Sequence, residues 1–309
     1  MRLIKGGEFW MGSDDHYPEE GPASRVVVGD FWIDEAPVTN REFRAFVEAT
    51  GHVTLAEVAP DPVLYPQADP TMLRAGSSLF VPPRDPVPLT DPFQWWRFSF
   101  GTDWRHPCGP ESSIDALLDH PVVHVAYADA VLYARWAGKQ LPTEAEWEFA
   151  ARGGLDRQPY AWGAELAPGG VMMANYWQGA FPSENLLLDG YERTSPVRSF
   201  PANGYGLYDM IGNVWEWTSD WYAERGALSQ PHSCCIPRNP RGGSEEGSRD
   251  LNDPGAAFGR KVLKGGSHLC AANYCQRYRP AARYAQTIDT STSHIGFRCV
   301  VQASEVLLR

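Results

Sequence analysis

Two cysteines, Cys270 and Cys275, stand five positions apart in LKGGSHLCAANYCQRYRPAARY, residues 263–284. A thiol pair can hold a soft metal ion, form a disulfide or carry redox chemistry. The gap is wider than the Cys-x-x-Cys of zinc knuckles and of thioredoxin-type redox pairs. The two thiols cannot share a helical face, where neighbours fall three or four residues apart. A turn between them is therefore expected, and Ala271-Ala272-Asn273 supplies it. The same stretch carries Ser267, Tyr274 and the cations Arg277, Arg279 and Arg283. These arginines read as ion-pairing groups on a strand, with one meeting a carboxylate in a pocket wall. A structural disulfide, or two buried free thiols, is the plain alternative to a metal site.

Composition narrows the partners. The net charge is −11 with a pI near 5.2. A nucleic-acid binder needs a basic face to neutralise phosphates, so that class is not expected. The acidic balance suits cation binding or a basic peptide. No apolar run reaches the ~20 residues of a membrane span. The opening MRLIKGGEFWMGSDD is interrupted by glycines and acids, so no signal-type apolar core is read there. A cytoplasmic protein without a membrane partner is expected. Six cysteines in 309 residues do not make a disulfide scaffold. Cys108 and Cys299 read as buried or inert thiols, while Cys234 and Cys235 lie in HSCCIPRNP, taken as a loop.

The elements that must position the thiols are short. With 29 Gly, 26 Pro and 12 Trp, the chain reads as a loop-rich single domain over residues 1–309, held by large aromatic side chains. GGEFWMGSD reads as a strand entering a glycine turn, and VVVGDFWIDEAPVT as a hairpin. A helix starts at a capping box of Thr39 and Glu42 and stops at Gly51. Residues from about 53 to 118 are rich in proline and read as ordered loop wrapped on the core. HPVVHVAYADAVLYARWAG gives a short strand and a helix ending at Gly138. A further helix is capped by Thr143 and Glu146 and ended by Gly153. GFRCVV reads as a closing strand. No fixed-period repeat is present, which excludes solenoids and propellers.

LPTEAEWEFAARGG, NGYGLYDMIGNVWEWTSDW, the cysteine segment and HIGFRCV together resemble the formylglycine-generating enzyme (sulfatase-modifying factor) family. The resemblance runs from GGEFWMGSD to GFRC. It implies a mixed α+β domain related to the C-type-lectin topology, with little regular structure. It also implies oxidation of one sulfatase cysteine, within Cys-x-Pro-x-Arg, to Cα-formylglycine. Molecular oxygen is the implied oxidant, copper(I) the cofactor and an unfolded sulfatase segment the partner. Cys270 and Cys275 would be the copper ligands, since soft thiolates select a soft ion. Ser267 would orient oxygen or substrate, Trp215 would line the pocket and Tyr274 would help to close it.

The same resemblance implies two structural calcium sites. The first would use Asn175 and Asp189 side chains with the carbonyls of Tyr176 and Tyr191. The second would use Asp209 and Glu216 with the carbonyls of Gly212 and Val214. Asx-turn hydrogen bonding alone is the competing reading for both. The secretory members' disulfide partner of Cys299 is replaced by Ala134, and a second bridge by Ala151 and Pro280, which suits a reducing cytosol. Cys235-Ile236-Pro237 mimics the start of the substrate motif, but Asn239 stands where its arginine would be. An iron-dependent sulfoxide synthase and a non-catalytic lectin-like binding module are the alternative functions. The first is marked by an added N-terminal bundle with a histidine-rich iron motif, which is not read here, the His120 to His124 spacing in HPVVH lying within the shared domain. The second has no need of both cysteines and Ser267.

Overall fold

A computed structural model describes residues 1–225, 236–250 and 257–303. In chain order its strands and helices are β1 (Arg2–Ile4), β2 (Gly7–Met11), β3 (Ser24–Val28), β4 (Phe31–Ile33), α1 (Asn40–Thr50), β5 (Gly76–Phe80), β6 (Trp96–Phe100), α2 (Tyr127–Trp136), α3 (Glu144–Arg152), β7 (Trp215–Trp221), β8 (Arg260–Lys264), β9 (Arg283–Thr287), β10 (Ile295–Gly296) and β11 (Val300–Gln302). The architecture is mixed α+β, with few helices and long connecting loops.

The helix signals act locally and are met. Thr39 accepts from the Glu42 N–H while the Glu42 carboxylate takes the Thr39 N–H, and Gly51 ends α1 at φ 68°. Thr143 and Glu146 do the same for α3, which Gly153 ends at φ 57°. Helix α2 stops at Trp136, two residues short of Gly138.

Strand pairing departs from the local reading. The expected hairpin across residues 26–39 does not form. Strand β3 pairs with β2, whereas β4 is the centre of a separate sheet ordered β1-β4-β11. Phe31 and Ile33, fully buried, share one face of β4, and its central place in the sheet pairs the strand's N–H and C=O groups along both edges. HPVVHVAYADA forms only an isolated bridge, Pro121 to Thr39, ahead of α2. GFRCVV is split between β10 and β11, because Gly296 pairs with β7 while Val300 pairs with β4. Within the proline-rich tract, β5 and β6 form a five-residue antiparallel ladder. The tract's prolines all lie outside the two strands, where no ladder donor is required.

The site hangs from the sheet β10-β7-β8-β9. Strands β8 and β9 pair from Arg260↔Thr287 to Lys264↔Arg283, so the cysteine segment is the loop that joins them. Gly265 (φ 93°) and Gly266 (φ 71°) turn the chain out of β8. A Cβ on Gly266 would sit 2.5 Å from the Arg277 carbonyl oxygen, so only glycine fits against the returning chain. Beneath the loop, Phe80, Trp95, Trp177, Phe181, Leu269 and Ala271 form an apolar cluster beside the main core. Burying each of its larger side chains contributes roughly 1.5–3 kcal/mol.

Candidate active site

The turn expected between the cysteines is present. The Cys270 N–H donates to the Ser267 carbonyl at 2.9 Å, and the Tyr274 and Cys275 N–H groups return to the Ala271 carbonyl at 3.1 and 2.8 Å. This places the Cys270 and Cys275 sulfurs 3.2 Å apart, both as free thiols. Cys270 is buried and Cys275 half-buried, and both line one cleft. The Ser267 N–H donates to the Cys270 sulfur at 3.5 Å, and the Ser267 hydroxyl oxygen accepts from the Leu269 N–H at 3.2 Å.

The two thiols hold their protons unequally. Burial pushes the Cys270 thiol well above its ordinary value, and the neighbouring Cys275 sulfur raises it further. The hydrogen bond from Cys270, helped by the Arg277 cation, outweighs desolvation at Cys275 and draws it down to about 7. Cys275 is thus the thiolate of the pair, with Cys270 donating to it. Arg277 approaches the Cys275 sulfur at 4.0 Å and is held by the Glu19 carboxylate at 2.5 Å. Its guanidinium also lies 4.0 Å from the Tyr17 ring centre and 5.4 Å from that of Tyr284. Sequence reading expected one arginine to meet a carboxylate near the pocket, and Arg277 is that one. Arg279 and Arg283 are fully buried on Glu20 and Glu144 and serve the frame.

The pair opens into a cleft of about 350 Å³. Ser267, Trp215 and Tyr274 all line it, as expected from the sequence. Trp215 is buried in the wall, while Tyr274 stays 41% exposed at the mouth. Tyr274 stacks on Phe181 with ring centres 4.6 Å apart and planes 5° from parallel, and meets the edge of Trp95 at 5.4 Å. Sequence reading missed Trp95, Trp96, His294 and Glu19. The density of aromatics in FQWWRFSF was a signal for the first two. His294 also lines the cleft, with its Nδ1 at 2.6 Å from the Thr292 hydroxyl and its ring tilted against Trp96 at 4.9 Å. Burial holds that imidazole neutral, well below its ordinary value.

The two expected calcium sets are placed differently from each other. In the first, the Asp189 carboxylate accepts from the Tyr176, Tyr191 and Gln178 N–H groups, at 3.2, 3.0 and 2.7 Å. Gln178 also donates to the Tyr176 carbonyl. A carboxylate and a carbonyl therefore converge on one neutral amide, and burial pushes the Asp189 carboxyl up. The Asn175 amide donates to the Arg193 carbonyl at 2.8 Å, beside the same loop. Oxygens of mixed origin from loops are the donor type that calcium takes. The second set does not fit a divalent cation as it is placed. Glu216 gives both carboxylate oxygens to the Arg298 guanidinium at 2.7 Å and one also to the Trp147 indole N–H. The same guanidinium takes the Asp209 carbonyl at 3.0 Å, so a cation of the chain itself already sits there. The Asp209 carboxylate is turned to the Arg198 N–H at 2.8 Å, and Gly212 and Val214 are buried in the chain leading into β7. Cys299 is buried and Cys108 exposed, and Cys234 and Cys235 lie outside the described residues.

Comparison with known proteins agrees with this geometry. Residues 1–303 match the family described as the sulfatase-modifying factor enzyme 1-like domain. The chain is 52% identical, over 96% of each chain, to the formylglycine-generating enzyme of Mycobacterium tuberculosis. It is 46% identical to that of Thermomonospora curvata, over 97% of this chain and 92% of the relative. Among solved structures, PvdO from Pseudomonas aeruginosa shares the fold with a TM-score of 0.64 at 24% identity, covering 97% of this chain and 93% of PvdO. The chain belongs to the formylglycine-generating enzyme (sulfatase-modifying factor) family.

Proposed function

We propose that this chain oxidises the cysteine of a sulfatase Cys-x-Pro-x-Arg segment to Cα-formylglycine, with molecular oxygen as oxidant and copper(I) held by Cys270 and Cys275. The observation that carries the reading is the pair of free thiols, 3.2 Å apart, at one end of a cleft open to a peptide. The donor set favours a soft ion of low coordination. Structural zinc takes four ligands and catalytic zinc three from the protein, and calcium takes six to eight oxygens. No group of three or more His, Cys, Asp or Glu among the described residues could hold a metal ion. Two sulfurs suit copper(I), which thiolates select. When bound, copper(I) would supply the soft centre at which oxygen and the substrate sulfur exchange electrons.

The chain's own residues then have distinct tasks. Cys275 presents a thiolate near neutral pH because Cys270 donates to it and Arg277 lies beside it. Buried Trp215 keeps bulk water from one wall. Ser267 has its hydroxyl oxygen fixed by the Leu269 N–H, which leaves its O–H to donate into the cleft. Tyr274, braced by Phe181 and Trp95, forms the lip over which the peptide enters. Overall, the substrate CH2–SH loses two hydrogens to give a thioaldehyde, and water replaces the sulfur, which leaves as hydrogen sulfide. Four-electron reduction of oxygen to water needs two further electrons, supplied by two external thiols that join as a disulfide. Reduced thiols are required throughout, which suits a cytosolic location. Calcium at Asn175, Tyr176, Asp189 and Tyr191 would cross-link loops that lack hydrogen-bond ladders.

Copper(I) titration of the reduced protein tests the ligand assignment. One equivalent is expected to bind tightly, and neither Cys270→Ser nor Cys275→Ser should retain that affinity. Tight binding by either variant would remove the pair from its role.

A further inference from the structure

Beside the catalytic cleft lies a second, larger cavity of about 580 Å³. Its walls come from Val58, Leu64, Met72, Leu73, Phe98 and Phe258. Four of these side chains are large, apolar and uncovered: Val58 is 51% exposed, Leu64 48%, Met72 44% and Phe98 41%. Apolar groups gathered in one concavity, and not scattered singly, mark a surface that another molecule covers. The charge pattern narrows what that molecule is. Among the described residues the cavity has no basic lining group, and its acids are Asp61 and Asp289. Asp289 is already bound by the Tyr65 hydroxyl at 2.6 Å. The Asp61 carboxylate accepts from the Val63 N–H at 2.9 Å. So apolar a lining suits an apolar segment and offers nothing to phosphates.

The geometry joins this cavity to the cleft. Ser78 lines both. Strand β6 carries Trp96 in the cleft wall and Phe98 in the cavity wall, and β5 sets Ser78 directly opposite Phe98. Residues two apart on a strand share a face and lie about 7 Å apart. The two concavities are thus successive stations along one face of one ladder. An extended chain advances about 3.3–3.6 Å per residue. An extended polypeptide lying against Trp96 in the cleft therefore reaches Phe98 in about two residues.

We infer that the cavity walled by Val58, Leu64, Met72 and Phe98 docks an apolar stretch of the substrate polypeptide, flanking the reactive cysteine. The inference rests on the cysteine-oxidation reading above and adds a specificity determinant to it. The cleft recognises the reacting residue, and the neighbouring cavity recognises the hydrophobicity of the chain around it. Such chain is exposed only while the substrate is unfolded, so the cavity selects substrates before they fold.

Turnover of a core peptide holding Cys-x-Pro-x-Arg is compared with that of two longer peptides, each carrying a Leu/Val-rich extension on one side. Wild-type protein is set beside Leu64→Asp and Phe98→Ser, both at exposed positions outside the cleft. On wild-type protein one extension should raise kcat/KM about tenfold through KM, equivalent to ~1.4 kcal/mol. Both variants should lose that gain and turn over the core peptide as wild type does, which also reports that they are folded. An extension without effect, or one whose effect survives both substitutions, overturns the docking site. A dimer in solution that Leu64→Asp dissolves would overturn it as well, by giving the cavity to a second copy of the chain. Failure of wild-type protein on all three peptides would instead strike the catalytic reading.

Discussion

The base and the tip of the loop joining β8 and β9 are built on opposite electrostatic plans. At the base, Lys264 and Arg283 stand opposite each other on the two strands and turn into the core. Lys264 meets Glu148 at 2.9 Å and Arg283 meets Glu144 at 2.9 Å, while Arg152 and Arg225 complete the cluster. Burial pushes the Glu144 carboxyl up, but Arg283, Arg225 and Lys264 outweigh it and hold the group below its ordinary value. Each carboxylate at the base is therefore held charged by buried cations. At the tip, two sulfurs share one proton, and their nearest cation is Arg277 at 4.0 Å. The contrast separates two tasks. A saturated buried cluster fixes where the loop begins and ends. On the proposed reading, a tip short of cations leaves sulfur electron density for a soft metal ion.

The comparison can be broken in four places, taken in falling order of effect. Cys270→Ser or Cys275→Ser should lower peptide turnover by roughly 10³-fold or more, as removal of a group holding the reacting atoms does, with the urea midpoint unchanged. Retained turnover would show that the tip does not act as a pair. Glu148→Gln at the base should cost about 3–5 kcal/mol in urea unfolding, because Lys264 and Arg152 lose a buried counter-charge. A loss near zero would mean the base is not the clamp described.

Thiol alkylation of the reduced, metal-free protein sharpens the tip. The thiolate is the reactive form. Since Cys275 is drawn down to about 7, its reactivity should be full above that pH and fall away as pH drops through it. Cys270→Ala removes the largest cause and should move the midpoint up most, and Arg277→Gln should move it up by less. A midpoint unmoved by both would detach Cys275 from its neighbours. The smallest effect belongs to the loop around Asp189. Calcium at about 100 times its Kd should stabilise the protein by on the order of 2–3 kcal/mol, and Asp189→Ala should abolish that gain. A melting temperature indifferent to chelation would leave that loop to hydrogen bonds alone.

What the sequence made legible follows the range of the interactions. The capping boxes at Thr39 and Thr143 and the turn between the cysteines involve residues three to five apart, and all three form. The family resemblance, and not any local pattern, placed Ser267, Trp215, Tyr274 and the thiols in one cleft, which they line. The strand errors are long-range. Strand β4 chooses partners at both ends of the chain, β1 and β11, and no local pattern encodes that choice. Glu19, which holds Arg277, comes from 258 residues away and carried no signal of its own. Glu216 is expected as a calcium ligand because the family resemblance implies one there. That Arg298 fills the position follows from a fold contact 82 residues distant.

The most direct measurement is the mass of a Leu-Cys-Thr-Pro-Ser-Arg peptide after incubation in air with reduced, copper(I)-loaded protein and excess thiol. The account predicts loss of one sulfur and two hydrogens with gain of one oxygen, dependent on copper and absent with Cys275→Ser. An unchanged peptide mass, with copper bound to the protein, would contradict it.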